Sequence, residues 1–576
     1  MKTRRCGRLV AASCGVMLVV AGCSFTGGND TGQRTASTVT VAGVQIPTLD
    51  PQIVGDGMWL DVQGIYEGLV VQNATGDDVL PGLAEKWDVS ADGLSYTFHL
   101  RSGLTWSDGS TLNAQDFGFA YKRLLAAKSS SAGVTLGANS YVTSMNIKGA
   151  DAYLAGTNTD WNSVGVKIPD DSTVTMQLAA PNPGFLMGMT HPSMLPLPQK
   201  LITDKGADWE KPGNIISDGP FKVSAITPNT SMTLVKNDKY WDAANVKLQQ
   251  INYKQGDATA VPSSVPFTTG EVDLMPLAGP LLTEFTGKAD LKDTIKTAKP
   301  SSTGYLALMH SKNPLLQDAR IREALSLGMG RDSVAKATPG TTAGITLVPS
   351  SLPDWSKTDG VPEDVAKAKQ LLSDAGFPGG KGLPTINLLA GGDSPTLQTI
   401  VSNWKNNLGV LAKVDVVEAG VYVKKRAALS DSNYVGFYFG TFAAELTWSK
   451  WVASLWSPQF TKPFSLSAEN YAKYLDLQQN KDLTPAQLTS QINALLDSTA
   501  SPAVKNFEAL TRKALATTDV AAQPAAFSAA SLAREKLFIF IPVYHNSYRW
   551  AVNSRVSGFN PRGTGDGYYF KSLSVR

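Results

Sequence analysis

Apolar and polar positions alternate with period two along residues 95–100, where Tyr96, Phe98 and Leu100 are separated by Thr97 and His99. Successive side chains on a strand point to opposite faces, so this pattern predicts a half-buried strand. Asp92-Gly93 before it and Ser107-Asp108-Gly109 after it are turn signals. The period then changes. Phe117, Ala120, Tyr121, Leu124 and Leu125 recur at helical spacing and form one apolar stripe. Asn113 is placed as the N-cap of that helix, with Asp116 three residues on to complete a capping box.

The second half of the chain alternates between the same two periods. Val365, Ala368, Leu371, Leu372 and Ala375 form a helical stripe ended by Gly376, a residue suited to a C-cap. Thr385–Leu389 reads as a short apolar strand. Leu397, Ile400, Val401, Trp404 and Leu408 form another stripe, ended by Gly409, and Val410–Val417 and Tyr434–Phe439 read as strands. Strand-helix alternation of this kind predicts an α/β lobe with a mainly parallel sheet. With 576 residues the chain exceeds one ordinary core, so two or three lobes are expected. No repeat of solenoid length is present.

Composition changes the picture at one end only. Hydrophobic content of 43% and charged content of 18% are those of a soluble globular protein. Lys2, Arg4, Arg5 and Arg8 precede the apolar run Leu9–Ala21, which is too short to span a bilayer and reads as a leader. Val20-Ala21-Gly22-Cys23 resembles a bacterial lipobox, in which the cysteine becomes the lipid-bearing N-terminus. Cys6 and Cys14 depart with such a leader, which leaves Cys23 alone and excludes an internal disulfide or thiolate metal site. Each buried acyl methylene contributes about 0.8 kcal/mol, and anchoring becomes stable with two or more chains. Removing the four leader cations leaves 48 basic against 49 acidic residues, a balance that gives no footprint for nucleic acid. The small, polar stretch 24–38 suits a flexible tether.

Residues 85–124, EKWDVSADGLSYTFHLRSGLTWSDGSTLNAQDFGFAYKRL, resemble the signature region of the family 5 extracellular solute-binding proteins, which include oligopeptide- and dipeptide-binding components of ABC importers. Other matching stretches follow in the family's order. Asp50-Pro51 and Tyr66-Glu67-Gly68-Leu69 resemble its "DP…YEGL"; Asn214–Phe221 resembles "NivsnGpf"; Lys236–Asp242 resembles "kNpnYWd"; Gly270–Asp273 resembles "GeiD"; and Tyr305–Ala324 resembles "yylafN…pf.d.rvR.Al". The likeness covers about residues 39–576.

The resemblance implies a periplasmic-binding-protein-like α/β fold of the class II, cluster C type, with two α/β lobes joined by a hinge and a third lobe inserted. Its division would be a signal peptide at 1–22, a tether at 23–38, lobe I at 39–70, 193–303 and 541–576, lobe II at 71–192, and lobe III at 304–540. The chain would cross between lobes near Tyr305 and again near Val543, and closure there would bury a ligand.

The resemblance also implies a binding site. Extended peptides are captured through main-chain hydrogen bonds to a strand edge. One edge would be Gly440-Thr441-Phe442-Ala443-Ala444-Glu445, where Ala444 stands at the position of the family's ammonium-binding aspartate. Glu445 is the candidate replacement, although strand neighbours point to opposite faces and it would need a local shift to serve. The other edge would be Gly55-Asp56-Gly57-Met58, with Asp56 a second candidate anion. Phe267, Trp448, Tyr544 and His545 are candidate walls, and Trp451 and Trp456 follow closely. Two departures weigh against a peptide. Ser129–Gly133 lacks the lining tyrosine of the oligopeptide cleft, and Met309 replaces a common asparagine.

Catalytic patterns are missing: there is no GxSxG elbow, no HExxH and no Walker A sequence, and no two of His99, His191, His310 and His545 have metal-ligand spacing. Gly379-Gly380-Lys381-Gly382 reads as a loop before the next strand, and Asp108 and Asp116 suit turn and cap roles. The expectation is therefore a non-enzymatic lipoprotein on the outer face of the bacterial cytoplasmic membrane. It would bind an oligopeptide or other small solute, act as a monomer without cofactor, metal or nucleic acid, and serve an ABC permease and its ATPase subunits. The alternatives are the same fold holding a glycan, a murein fragment or another solute, and an envelope adaptor that transports nothing.

Overall fold

The alternating run is strand β5 (Ser95–Leu100), and its side chains alternate between half-buried and buried in the computed structural model. The residues described are 37–43, 48–53, 64–126, 145–182, 184–227, 230–255, 263–309, 313–352, 360–392, 394–418, 421–422, 424–425, 433–443, 462–480, 482–517, 519, 522–562 and 569–576. Strand β5 pairs antiparallel with β4 (Ala84–Val89) and β7 (Thr173–Gln177), and β6 (Val166–Asp170) completes a four-stranded sheet. Helix α1 (Ala114–Leu125) packs its stripe into the same core. Its capping box forms as the spacing requires: Asn113 accepts from the Gln115 amide, and Asp116 accepts from the Asn113 amide at 3.1 Å. A short hairpin of β2 (Val70–Gln72) and β3 (Val79–Pro81) precedes this sheet.

A second, eleven-stranded sheet runs through the rest of the protein. One end holds β1 (Thr38–Gly43), β8 (Phe221–Thr227), β9 (Ser231–Lys236), β10 (Gln250–Gln255) and β11 (Leu274–Pro276). The other end holds β14 (Ile386–Ala390), β15 (Ala412–Val416) and β16 (Gly436–Ala443), covered by helices α2 (Val365–Asp374) and α3 (Pro395–Leu408). Helix α3 ends where glycine was expected, with Gly409 at φ 71° in the left-handed region.

Two long strands join these ends, β12 (Ile295–Leu308) and β17 (Phe540–Val552). Trp550 and Val552 of β17 belong to the core beneath β1 and β10, while residues 305–309 and 540–544 belong to the core around α3. Their antiparallel register shifts between Thr297 and Pro300, between Pro300 and Ser302, and between Gly304 and Tyr305. A proline has no N–H for the ladder, so Pro300 interrupts the pairing midway. The mainly parallel sheet expected for the second half is a mixed one. β14 pairs parallel with β15 and β16, but β12 lies between β16 and β17 and runs antiparallel to both. The strand-helix pattern that argued for parallel pairing covers only 365–443, whereas β12 and β17 lie outside it. Strand β13 (Thr341–Ala343) adds to β17, and β18 (Val556–Ser557) pairs with β19 (Ser574–Val575).

Candidate functional site

Strand β16 is rich in aromatic residues and glycine, and its two edges meet different neighbours. Along Phe437–Ala443 one edge pairs with β12 in unbroken register. On the other, β14 pairs only as far as Leu389 opposite Tyr438, and it ends at Ala390. Main-chain hydrogen bonds fix which groups face which side. The Asn387 amide donates to the Val435 carbonyl at 2.9 Å on the β14 side, and the Met309 amide donates to the Gly436 carbonyl at 3.2 Å on the β12 side. Alternation therefore turns the main-chain groups of Phe439, Thr441 and Ala443 away from β12. The Phe439 carbonyl accepts from the Tyr422 phenol at 2.6 Å. Beyond it, Thr441 and Ala443 face no strand on that side among the described residues. Such an edge is a template for an added strand.

Two glycines let aromatic rings lie flat across this part of the sheet. A side chain at Gly440 would strike the Tyr305 phenol, and one at Gly304 would come within 2.6 Å of the Tyr544 ring. Thr441, Gly304 and Tyr544 form a row across β16, β12 and β17, and Phe442, Thr303 and His545 form the next row. Phe439 and Tyr544 sit with ring centroids 6.1 Å apart on the same face as Thr441. The structure thus places Gly440, Thr441, Phe442 and Ala443 on β16 and Tyr544 and His545 on β17, the two strands that flank β12. Burial drives the His545 pKa down to about 4, against a hydrogen bond with the Thr346 backbone, so its ring is neutral near pH 7. Burial likewise raises the Tyr544 pKa.

The other sequence candidates fall elsewhere. Phe267 is buried in a separate small core, edge-on to Phe285 at 5.5 Å. Gly55, Asp56, Gly57, Met58, Glu445, Trp448, Trp451, Trp456 and the lipobox Cys23 lie outside the described residues. The turn that leads to Gly55 is held firmly. Asp50 receives the Arg123 guanidinium at 2.5 Å, and Glu210 accepts from the Thr48 hydroxyl and from the Leu49 and Asp50 amides. Sequence reading did not single out Tyr422, Phe439, Arg123 or Glu210. Tyr422 belongs to no periodic run, and the partners of Arg123 and Glu210 lie more than seventy residues away.

Acidic and aromatic residues of the matching stretches are engaged with other side chains and main-chain groups of the protein. Glu67 accepts from the Tyr240 phenol at 2.5 Å and from the Trp241 indole at 2.6 Å. Burial raises its pKa, opposed by these donors and by the charge of Lys571. Asn237 donates to the Gly219 carbonyl, and Asp273 pairs with Arg555. His99 contacts Asp88 on the surface at 2.7 Å, and Asp108 caps the turn to Ser110. Among the described residues no group of three or more His, Cys, Asp or Glu side chains is placed to hold a metal ion, and no helix is long and apolar enough to cross a membrane.

Residues 78–462 match the model of the bacterial extracellular solute-binding proteins, family 5. The chain is 27% identical over 551 residues to the periplasmic oligopeptide-binding protein OppA of Escherichia coli, covering 92% of this chain and 91% of that one. It is 32% identical over 393 residues to the probable deoxycholate-binding periplasmic protein YgiS of the same organism, covering 66% and 71%. Among solved structures, the unliganded open form of the periplasmic murein tripeptide-binding protein MppA superposes with a TM-score of 0.70 at 22% identity, covering 94% of this chain and 97% of that one. That likeness shows the periplasmic-binding-protein-like α/β fold.

Proposed function

The chain belongs to the bacterial extracellular solute-binding proteins of family 5, a family of solute binding rather than catalysis whose members act outside the cytoplasm, and from that premise we propose that it captures short peptides and hands them to an ABC permease. The observation that carries this reading is the edge at Thr441 and Ala443, which no strand among the described residues covers, beside the two strands that join the halves of the molecule. A peptide laid along that edge gains main-chain hydrogen bonds whatever its side chains, and Tyr544 and Phe439 supply an apolar wall. The opposing edge is assigned to Gly55, Asp56, Gly57 and Met58, the ammonium partner to Glu445 and a further wall to Trp448. Bending of β12 and β17 at their register shifts closes the halves over the guest. Cys23 carries the lipid that keeps the protein at the outer face of the membrane, where it works as a monomer beside the permease and its ATPase subunits.

A second reading has its own support. A relative named for probable deoxycholate binding is 32% identical, and Ala444 replaces the charge that a peptide's amino terminus would meet. In that reading the aromatic wall packs on the apolar face of a different solute. Mass spectrometry of the material released by denaturing the purified protein separates the two. Heterogeneous short peptides are expected. A single non-peptide mass would replace peptide with that solute, and release of nothing from protein purified under native conditions would favour an adaptor.

A further inference from the structure

The lane beside β16 has a built end. Strand β14 stops at Ala390, and the next ladder acceptor on β16, the Phe439 carbonyl, receives a side chain instead of a strand amide. That side chain is Tyr422, whose phenol stands 2.6 Å from the carbonyl oxygen. Its ring base packs against Gly391, so that a Cβ there would lie 3.5 Å from the tyrosine Cγ. The segment carrying Tyr422 is a short helical stretch, in which the Tyr422 amide donates to the Glu418 carbonyl at 2.8 Å, and Lys425 ties it to Asp415 of β15 at 2.7 Å. One residue therefore takes the hydrogen bond that a longer guest would use and stands between the end of β14 and the open edge.

We propose that Tyr422 is the end-stop of the peptide lane, a specificity-determining residue that sets how far along β16 a guest strand extends. This rests on the peptide-binding reading of the Thr441–Ala443 edge. Main-chain groups on one side of a strand recur every second residue, so a guest that pairs with Thr441 and Ala443 would next reach the Phe439 carbonyl. Tyr422 already satisfies that carbonyl. A guest longer than the lane must turn out of it at this point or displace the phenol.

The test is the length distribution of peptides retained by the full chain after incubation with a synthetic random ladder from dipeptides to decapeptides, read by mass spectrometry. Wild-type protein is expected to show an upper length limit. Tyr422→Ala is expected to raise that limit by about two residues, one step of the ladder. Tyr422→Phe keeps the ring packing and removes only the donor, so it is expected to move the distribution the same way by less. It decides the matter if the alanine variant fails to fold. A wild type that retains no peptide overturns the peptide reading and the end-stop with it. Variants that retain peptides with the wild-type length distribution overturn the end-stop alone.

Discussion

Glu535 shows how a single buried group is set by its surroundings. It is almost fully enclosed, at 1% exposure, and it accepts from the Thr346 hydroxyl at 2.6 Å and the Leu347 amide at 2.8 Å. Those bonds fasten the segment that Gly344 and Thr303 also tie to β17 and β12. Burial raises its pKa to about 7, opposed by the two hydrogen bonds and by the charge of Arg534. A carboxyl whose folded pKa lies above its unfolded value binds its proton more tightly when folded. Its contribution is therefore fully present below the unfolded value near 4.5 and is lost as pH rises through about 7. The difference is of order 3 kcal/mol. Urea midpoints measured at pH 5 and pH 7.5 are expected to fall for the wild type across this window. Glu535→Gln keeps an acceptor for Thr346 and Leu347 and is expected to flatten the dependence. An undiminished slope in the variant would assign the effect to other groups.

At the scale of elements, the joining strands carry the most specific packing. Gly304 lies between Thr441 and Tyr544, and the tyrosine ring occupies the place of its missing side chain. Gly304→Ala would force Tyr544 or β12 to move, at a cost of roughly 1–3 kcal/mol for an overpacked core position. Thermal unfolding with and without bound peptide is the check. Destabilisation accompanied by weaker binding is expected, and a variant with wild-type stability would mean that the ring yields freely. The elements themselves were legible wherever one period ran unbroken. Tyr96, Phe98 and Leu100 are inward on β5, Asn113 and Asp116 form their capping box, and Gly409 ends α3. Strand partners were less legible. β12 has 14 residues and β17 has 13, and their pairing joins positions more than two hundred residues apart, which local periodicity does not encode.

For the whole molecule, the stretches that revealed the family are mostly struts. Glu67 with Tyr240 and Trp241, Asn237 with Gly219, and Asp273 with Arg555 tie distant parts of the first core together. They bear on packing and say little about the guest. The edge that would pair with a guest is made of main-chain groups, and those carry no residue code. The Gly440 segment was singled out through its motif, but the edge that no described strand covers follows from where β14 stops, and the role proposed for Tyr422 rests on a short helical stretch without an apolar period. The central claim is that a guest strand pairs with Thr441 and Ala443. Amide hydrogen exchange over residues 436–443, compared between ligand-stripped protein and protein saturated with a random peptide mixture, tests it most directly. The Thr441 and Ala443 amides are expected to slow markedly on binding, while amides already paired with β12 change little. Bound peptide with unchanged exchange at those two amides would contradict it.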